Sequence, residues 1–343
     1  MPFRFVIMSK NPTGNLTTGV VLLNMGGPDR LDDVQPFLYN LFCDREIIRL
    51  GPSLLQKPLA WLISRRRAAK SRANYARIGG GSPLKGITRR QADALGAALA
   101  EDGDFVVTMA MRYWPPLAEE VITELLARQV KRVIALTLYP HYSKATTGSS
   151  LAEFRRQLQR MAPQLPLLAI ESWPDQPDFI GALAETVAAG RQHFGPDCEP
   201  ALIYSAHSLP VSFIKEGDPY VDHLQKTISA LEKVTKLPGK LCYQSRSGPV
   251  QWLEPSTLAT IEQLAREGCR DLLVLPISFV SDHIETLYEI DMLFKDHAAS
   301  LGMRLRTCPA LNDRPTFIAA LRRLVLCAAE LTPPPGNWGS AAS

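Results

Sequence analysis

An α/β fold with two parallel sheets follows from three features of the sequence. Short apolar runs alternate with stretches of helical periodicity along the chain, the pattern of parallel strands joined by helical crossovers. Several runs end in polar or glycine-rich turns, and the crevice outside the carboxyl ends of such strands is where open sheets bind ligands. Residues 133–139 are echoed by 272–278, each followed by a polar turn and a helix, which predicts two similar halves facing each other.

The elements are predicted in order. Residues 19–25 form a strand ending at Gly26-Gly27-Pro28, and Val34, Phe37, Leu38 and Leu41 recur at near-helical spacing. A helix over 92–101 leads to a strand at 105–111, and a helix near 117–129 to a strand at 132–138. The turn 139–148 opens a helix in which Ser150 and Glu153 have capping-box spacing, and 166–171 is a short strand. The second half has strands at 201–205, 241–244, 271–279 and 303–307, with helices near 220–234, 256–267, 282–301 and 314–330. Right-handed crossovers make each half a Rossmann-like domain. The expected bounds are 17–180 and 181–312, then a C-terminal helix at 313–331 packing back on the body. Thr332-Pro333-Pro334-Pro335-Gly336 cannot continue a helix, so 332–343 is expected to be loose.

Composition narrows the class. The 343 residues are 46% hydrophobic and 21% charged, enough apolar content for full cores in a soluble protein. No apolar stretch nears the roughly 18 residues that span a bilayer, and the N-terminus carries no convincing secretory cleavage site, so a cytoplasmic location is expected. The six cysteines include no CxxC pair, which suggests reduced thiols. Residues 47–92 hold eleven Lys or Arg and no acid, leaving 27 basic against 34 acidic residues elsewhere. A basic block of this kind implies an anionic partner: membrane lipid, nucleic acid or an acidic small ligand.

Neither Gly26-Gly27-Pro28 nor Gly79-Gly80-Gly81-Ser82-Pro83 fits a dinucleotide or P-loop pattern. Thr146-Thr147-Gly148-Ser149-Ser150 suits a phosphate cradle or a helix cap. His207 and Glu285 each follow an apolar run, so two strand ends would bring them toward one ligand. On spacing alone, His207 also suits a hydrogen-bonded structural role, and Asp282-x-x-Glu285 suits a capping box with His283 pointing outward. Trp252 reads as core. No hydrolytic triad or zinc motif is present; a histidine with a carboxylate suits Fe(II), Mn or Zn.

Taken together, the segments resemble the ferrochelatases, which insert Fe(II) into protoporphyrin IX to make haem. The resemblance runs from about Gly19 to Leu326. It is carried by Leu22-Leu23-Asn24-Met25-Gly26-Gly27-Pro28, Ile78-Gly79-Gly80-Gly81-Ser82-Pro83, Met111-Arg112-Tyr113 and Tyr139-Pro140-His141-Tyr142-Ser143. The second half adds Ser205-Ala206-His207-Ser208-Leu209-Pro210, Gly217-Asp218-Pro219-Tyr220, Gln244-Ser245, Trp252-Leu253 and Ser281-Asp282-His283-Ile284-Glu285-Thr286-Leu287-Tyr288-Glu289. It implies two Rossmann-like domains around a porphyrin cleft, with His207 at the macrocycle centre and Glu285 as its acidic partner, both candidate metal contacts. Asp282, His283 and Glu289 would stand behind them. Met25, Ser82, Arg112, Tyr113, Tyr139 and Trp252 match positions that hold or bend the porphyrin. Bending exposes the ring nitrogens' lone pairs, and a neutral imidazole can accept a departing proton.

Departures from the family set further expectations. Animal members bind a 2Fe-2S cluster, but Lys144 stands where they have one of its cysteines, and no cysteine follows Cys327, so no such cluster is expected. The acidic row through Glu285 and Glu289 meets Leu293 at its next step. Leu54, Leu55, Leu59, Trp61, Leu62 and Ile63 beside Arg65-Arg66-Arg67 suit an anchor on anionic lipid through residues 54–77, the lip of the cleft, rather than nucleic acid. A solvated basic helix is the other reading of this segment. The alternatives for function are a coproporphyrin III ferrochelatase, a non-catalytic haem or porphyrin carrier, and a cobalt chelatase for an open corrin precursor. Asn24-Met25-Gly26-Gly27-Pro28 resembles the protoporphyrin type.

Overall fold

The computed structural model describes residues 17–246, 248 and 250–330; the readings of the extreme N-terminus and of the proline-rich tail fall outside them. β1 (Thr18–Asn24), β2 (Phe105–Met111), β3 (Arg132–Thr137) and β4 (Leu167–Ile170) form a parallel sheet in the order β2-β1-β3-β4. β5 (Ala201–His207), β6 (Gly239–Gln244), β7 (Asp271–Pro276) and β8 (Arg304–Thr307) form another, in the order β6-β5-β7-β8. The two orders are the same, and β3 and β7 hold equivalent places, so the echo in the sequence is an echo of position. In each sheet the chain moves to one side of its first strand and then crosses to the other. That reversal opens a crevice at the strand's carboxyl end, where Asn24 and His207 stand.

Strands such as β1 are buried on both faces, which is why they read as unbroken apolar runs. α4 (Ala118–Ala127) and α5 (Ser149–Met161) cover the outer face of the first sheet, with Val121, Leu125, Leu151 and Phe154 packed on Val21 and Val133. On the outer face of the second, Ile261 and Leu264 of α9 (Thr257–Arg266) join Ile290, Phe294 and Ala298. Between the sheets lie α3 (Leu84–Leu99), α6 (Pro177–Arg191), α8 (Tyr220–Thr235) and α11 (Pro315–Glu330). Their side chains form one apolar cluster with Leu22 and Leu136 from one sheet and Tyr204 and Leu275 from the other.

The two halves therefore share a core. The boundary expected at 180 falls inside α6, which packs on both α8 and α11. α11 returns to the first half, packing on α3 and β3; there Arg132 Nη1 donates to the Ala329 carbonyl (3.0 Å) and Arg322 pairs with Asp102 (2.5 Å). The lip is a helical hairpin, α1 (Val34–Cys43) and α2 (Gln56–Arg77), over a separate apolar cluster.

Some elements differ from expectation for local reasons. β7 stops at Pro276, which has no N–H to offer, and Phe279 N–H closes a turn on its carbonyl (3.2 Å). The helix expected at 282–301 is a π-helix over Glu285–Phe294 that runs into α10 (Lys295–Ser300). α3 starts at Leu84 rather than 92, with the Leu84 N–H on Ser82 Oγ (3.3 Å). Ser150 and Glu153 form no capping box. α5 continues from a π-turn at Lys144–Gly148, and the Glu153 carboxylate is engaged by Arg156 and Gln157. The two glycine loops clasp each other: Ser82 N–H donates to Pro28 O (2.8 Å), and a Cβ on Gly81 would lie 2.2 Å from Asp29 O. Backbone contact, rather than a bound phosphate, accounts for glycine there.

Phe317 is fully buried in the inter-sheet layer beside Trp173, with ring centroids 6.0 Å apart. Phe317→Ala should lower unfolding free energy by about 3–5 kcal/mol in chemical denaturation. A loss below about 1 kcal/mol would mean that the layer closes up around the cavity.

Candidate active site

Three elements of the second half converge on His207. β5 ends at its backbone, which is held on both sides: its N–H donates to Ser278 Oγ (3.0 Å) and its carbonyl accepts from Tyr220 Oη (3.0 Å). The imidazole Nδ1 lies 2.8 Å from Glu285 Oε2. Glu285 opens the π-helix, and its carboxylate points to His207 instead of back to its own helix end. The capping-box reading therefore fails; no side-chain cap is present there. The ring of His207 meets Phe279 edge-on, with centroids 6.4 Å apart.

Ser245 joins the acidic row. It follows β6 with φ +64°, a left-handed backbone rarely adopted by serine. Its N–H donates to Glu289 Oε1 (2.9 Å), and its hydroxyl touches both Glu285 Oε2 (2.7 Å) and Glu289 Oε2. One hydroxyl proton cannot serve two carboxylates, so one of the two must carry a proton when both contacts are hydrogen bonds. Burial and the nearby Glu285 charge raise Glu289, against the Ser245 donors. Burial also pushes Glu285 upward, but His207, His283 and Ser245 outweigh it and leave Glu285 below the usual carboxylate range. Burial disfavours charged His207, but Glu285, through its charge and hydrogen bond, and then Glu289 raise it above its ordinary value. Two carboxylates pushed in opposite directions on one helix divide naturally into a fixed anion and a proton carrier.

The remaining expected residues are dispersed around this centre. His283 does not point outward: it is 5% exposed, packs on Phe279 (4.1 Å), has no protein partner on either ring nitrogen among the described residues, and burial lowers its pKa. Asp282 faces away from His207, toward Asn312 Nδ2 (2.8 Å), and lines a cavity of about 630 Å³ with Thr286, Asp291 and Arg306. Trp252 bridges to Pro210, just beyond His207, with its indole N–H buried and unpartnered among the described residues.

In the first half, Met25 follows β1 and packs, as does Ile284, on the apolar cluster under the lip. Tyr139 follows β3 with a buried hydroxyl. Ser82 is engaged at the start of α3. Arg112 donates from Nη2 to Asp44 Oδ2 (2.8 Å) and from Nε to Ser149 Oγ (2.8 Å). Tyr113 is 3% exposed and donates to the same Asp44 oxygen (2.8 Å), so it supports Arg112 from within the lip cluster. At the far end of α2, Arg77 lies over the Tyr288 ring (5.2 Å) on the π-helix.

Sequence reasoning assigned no role to Ser245, Asp44, Tyr220 or Ser278. Ser245 and Tyr220 lay within motifs carrying the resemblance, but their partners are far away in sequence.

The ferrochelatase family model matches residues 17–329. The chain belongs to the ferrochelatase family. The ferrochelatase of Desulfotalea psychrophila is 58% identical over 312 residues, covering 91% of this chain and 97% of that one. That of Geotalea uraniireducens is 47% identical over 310 residues, covering 90% and 97%. The structure of SirB from Bacillus subtilis with Fe3+ is similar in fold, with a TM-score of 0.55 at 10% identity over 91% of this chain and 96% of that one. As a ferrochelatase, the protein is a metal chelatase that inserts iron into a porphyrin in haem synthesis.

The raised His207 value has a sign. The His207–Glu285 pair stabilises the fold fully below the unfolded histidine value of about 6.5, and this contribution is lost as pH rises through the higher folded value. Glu285→Gln should lower the His207 titration midpoint, measured by NMR of its ring proton. An unchanged midpoint would show that Glu285 carries no charge in the native protein.

Proposed function

We propose that the protein inserts Fe(II) into protoporphyrin IX with His207 and Glu285 as the working pair. The observation that carries this reading is the 2.8 Å contact between them at the carboxyl end of β5. An ionised Glu285 accepts the Nδ1 proton of His207, which leaves the lone pair on Nε2 toward the open side of the site. Two pyrrole protons leave as iron enters; Nε2 takes them one after the other, Glu285 stabilising each imidazolium until its proton is lost to solvent. Ser245 links the Glu285 and Glu289 carboxylates through its hydroxyl, a short acidic row that ends where Leu293 replaces an acid. Met25, Arg112, Tyr139 and Trp252 hold the macrocycle, Ser82 and Tyr113 brace that wall, and His283 and Asp282 stand behind Glu285.

The protein works without an iron–sulfur cluster. Lys144 pairs with Glu216 (3.5 Å), and the cysteines are unpaired thiols spread over both halves. It acts in the cytoplasm, at the surface of an anionic membrane. Among the described residues no helix is long and apolar enough to cross a bilayer. The lip, however, exposes Leu54 (89%) and Trp61 (49%) beside Arg65 and Arg66, with Arg65 over the Trp61 ring (5.3 Å).

Anaerobic assays with Fe(II) and either protoporphyrin IX or coproporphyrin III test the substrate. Protoporphyrin should give the higher kcat/KM; a preference for coproporphyrin would reverse the assignment. His207→Ala should abolish metallation by at least about 100-fold while porphyrin still quenches tryptophan fluorescence, and near-normal turnover would remove His207 from the mechanism. Co-sedimentation with anionic vesicles should fall with salt and with Arg65→Ser/Arg66→Ser. Equal sedimentation of variant and parent would leave a solvated helix.

A further inference from the structure

The turn that follows Tyr139 does not stay with its own half. It crosses to α8 of the second half and is held there at four points. Ser143 Oγ donates to Asp218 Oδ2 (2.9 Å) and Lys144 N–H to the same oxygen (2.8 Å). Tyr142 N–H donates to His223 Nδ1 (3.1 Å). His141 Nε2 meets Thr227 Oγ1 (2.8 Å). Thr227 spends its own proton on Pro174 O (2.6 Å), so His141 is the donor and keeps its proton on Nε2.

The receiving end of α8 also reaches the candidate active site. Asp218 Oδ1 accepts from Tyr220 N–H (3.1 Å), Tyr220 packs edge-on against His141 (6.1 Å), and its hydroxyl holds the His207 carbonyl. One helix end therefore fastens a wall from the first half and the backbone of His207.

We propose that His223 is a pH-sensitive positioning residue: as a neutral acceptor it latches the 139–148 turn onto α8 and so fixes the spacing of the two cleft walls. The inference rests on the porphyrin reading of the cleft for its effect on binding, though not for the latch itself. Tyr142 N–H requires a bare Nδ1; a protonated ring has no acceptor to offer, and the contact becomes repulsive. The groups facing His223 are Asp222 and Lys226 on α8, Asp218 just before it, Asp175 before α6, and His141 and Tyr142 on the turn. Burial, then Lys226, lowers His223 against the pull of the three acids. The latch is thus complete at and above the ordinary histidine value of about 6.5 and is lost only as pH falls through the lowered folded value. His141 is pushed down to about 3 by burial and by His223, so it stays neutral over this range and does not sense pH.

The test compares the parent protein with His223→Gln, whose amide oxygen accepts from Tyr142 at every pH, and His223→Leu, which cannot accept. Hydrogen exchange at the Tyr142 amide is followed from pH 8 to pH 5, with protoporphyrin Kd from fluorescence quenching. At pH 8 the parent and the Gln variant should protect Tyr142 alike, and the Leu variant less. At pH 5 the parent should lose protection and its Kd should rise about three- to tenfold relative to the Gln variant, the worth of one such hydrogen bond. His207 titrates in both, so its effect cancels in that ratio. Parallel protection in parent and Gln variant from pH 8 to 5 would overturn the latch. Lost protection with an unchanged Kd ratio would overturn its positioning role. Should the Leu variant not fold, the comparison of parent with Gln still decides. A protein that bound no porphyrin at any pH would sink the functional reading, while exchange at Tyr142 would still judge the latch.

Discussion

The hydrogen bond from His207 Nδ1 to Glu285 constrains everything around it. Removing an ion pair from water costs several kcal/mol per charge unless hydrogen bonds complete its shell. The surroundings supply them: Ser245 reaches Glu285, while Ser278 and Tyr220 grip the His207 backbone. These residues come from the loops after β6 and β7 and from α8. The arrangement therefore depends on β5 lying between β6 and β7, and on every strand pointing the same way. An antiparallel edge would send one of these groups to the opposite end of the sheet.

In the proposed reaction, strain applied to a planar ring needs walls stiffer than the ring. Close-packed interiors resist small displacements and transmit force. Here both walls rest on the apolar layer between the sheets, and Arg112 is braced by a buried carboxylate, Asp44, that also holds Tyr113 and Ser149. The lip is different. It stands on its own cluster and presents large apolar side chains outward, so its firmness is local.

The α/β alternation and the place of His207 at the end of β5 were legible because they lie in short segments with strong patterns; Glu285 stands on the π-helix beyond β7 rather than at its end. The resemblance supplied the pairing that periodicity could not. The details that stayed hidden involve partners distant in sequence or backbone choices without a residue signature. Ser245 looks like any loop serine until its left-handed φ turns the N–H toward Glu289. Asp282 and Glu285 have ideal capping spacing, but a wide π-turn and a histidine on another strand claim Glu285. Asp282 instead answers to Asn312, a residue from beyond β8. The shared core was hidden too, because apolar periodicity says that a helix has a buried face without saying which sheet it covers.

α11 closes the first half of the molecule although it is the last helix described. A ribosome makes the parts in the opposite order from the one packing requires. When β3 emerges, the surface that α11 will cover has no occupant, and about 180 residues remain to be made before that helix begins. At ~5–20 residues per second, that delay is on the order of ten to forty seconds. During it, a nascent chain carries an apolar strip that α11 has yet to cover. The same geometry makes α11 the closing piece of the first half: a fragment that stops short of it leaves the strip bare.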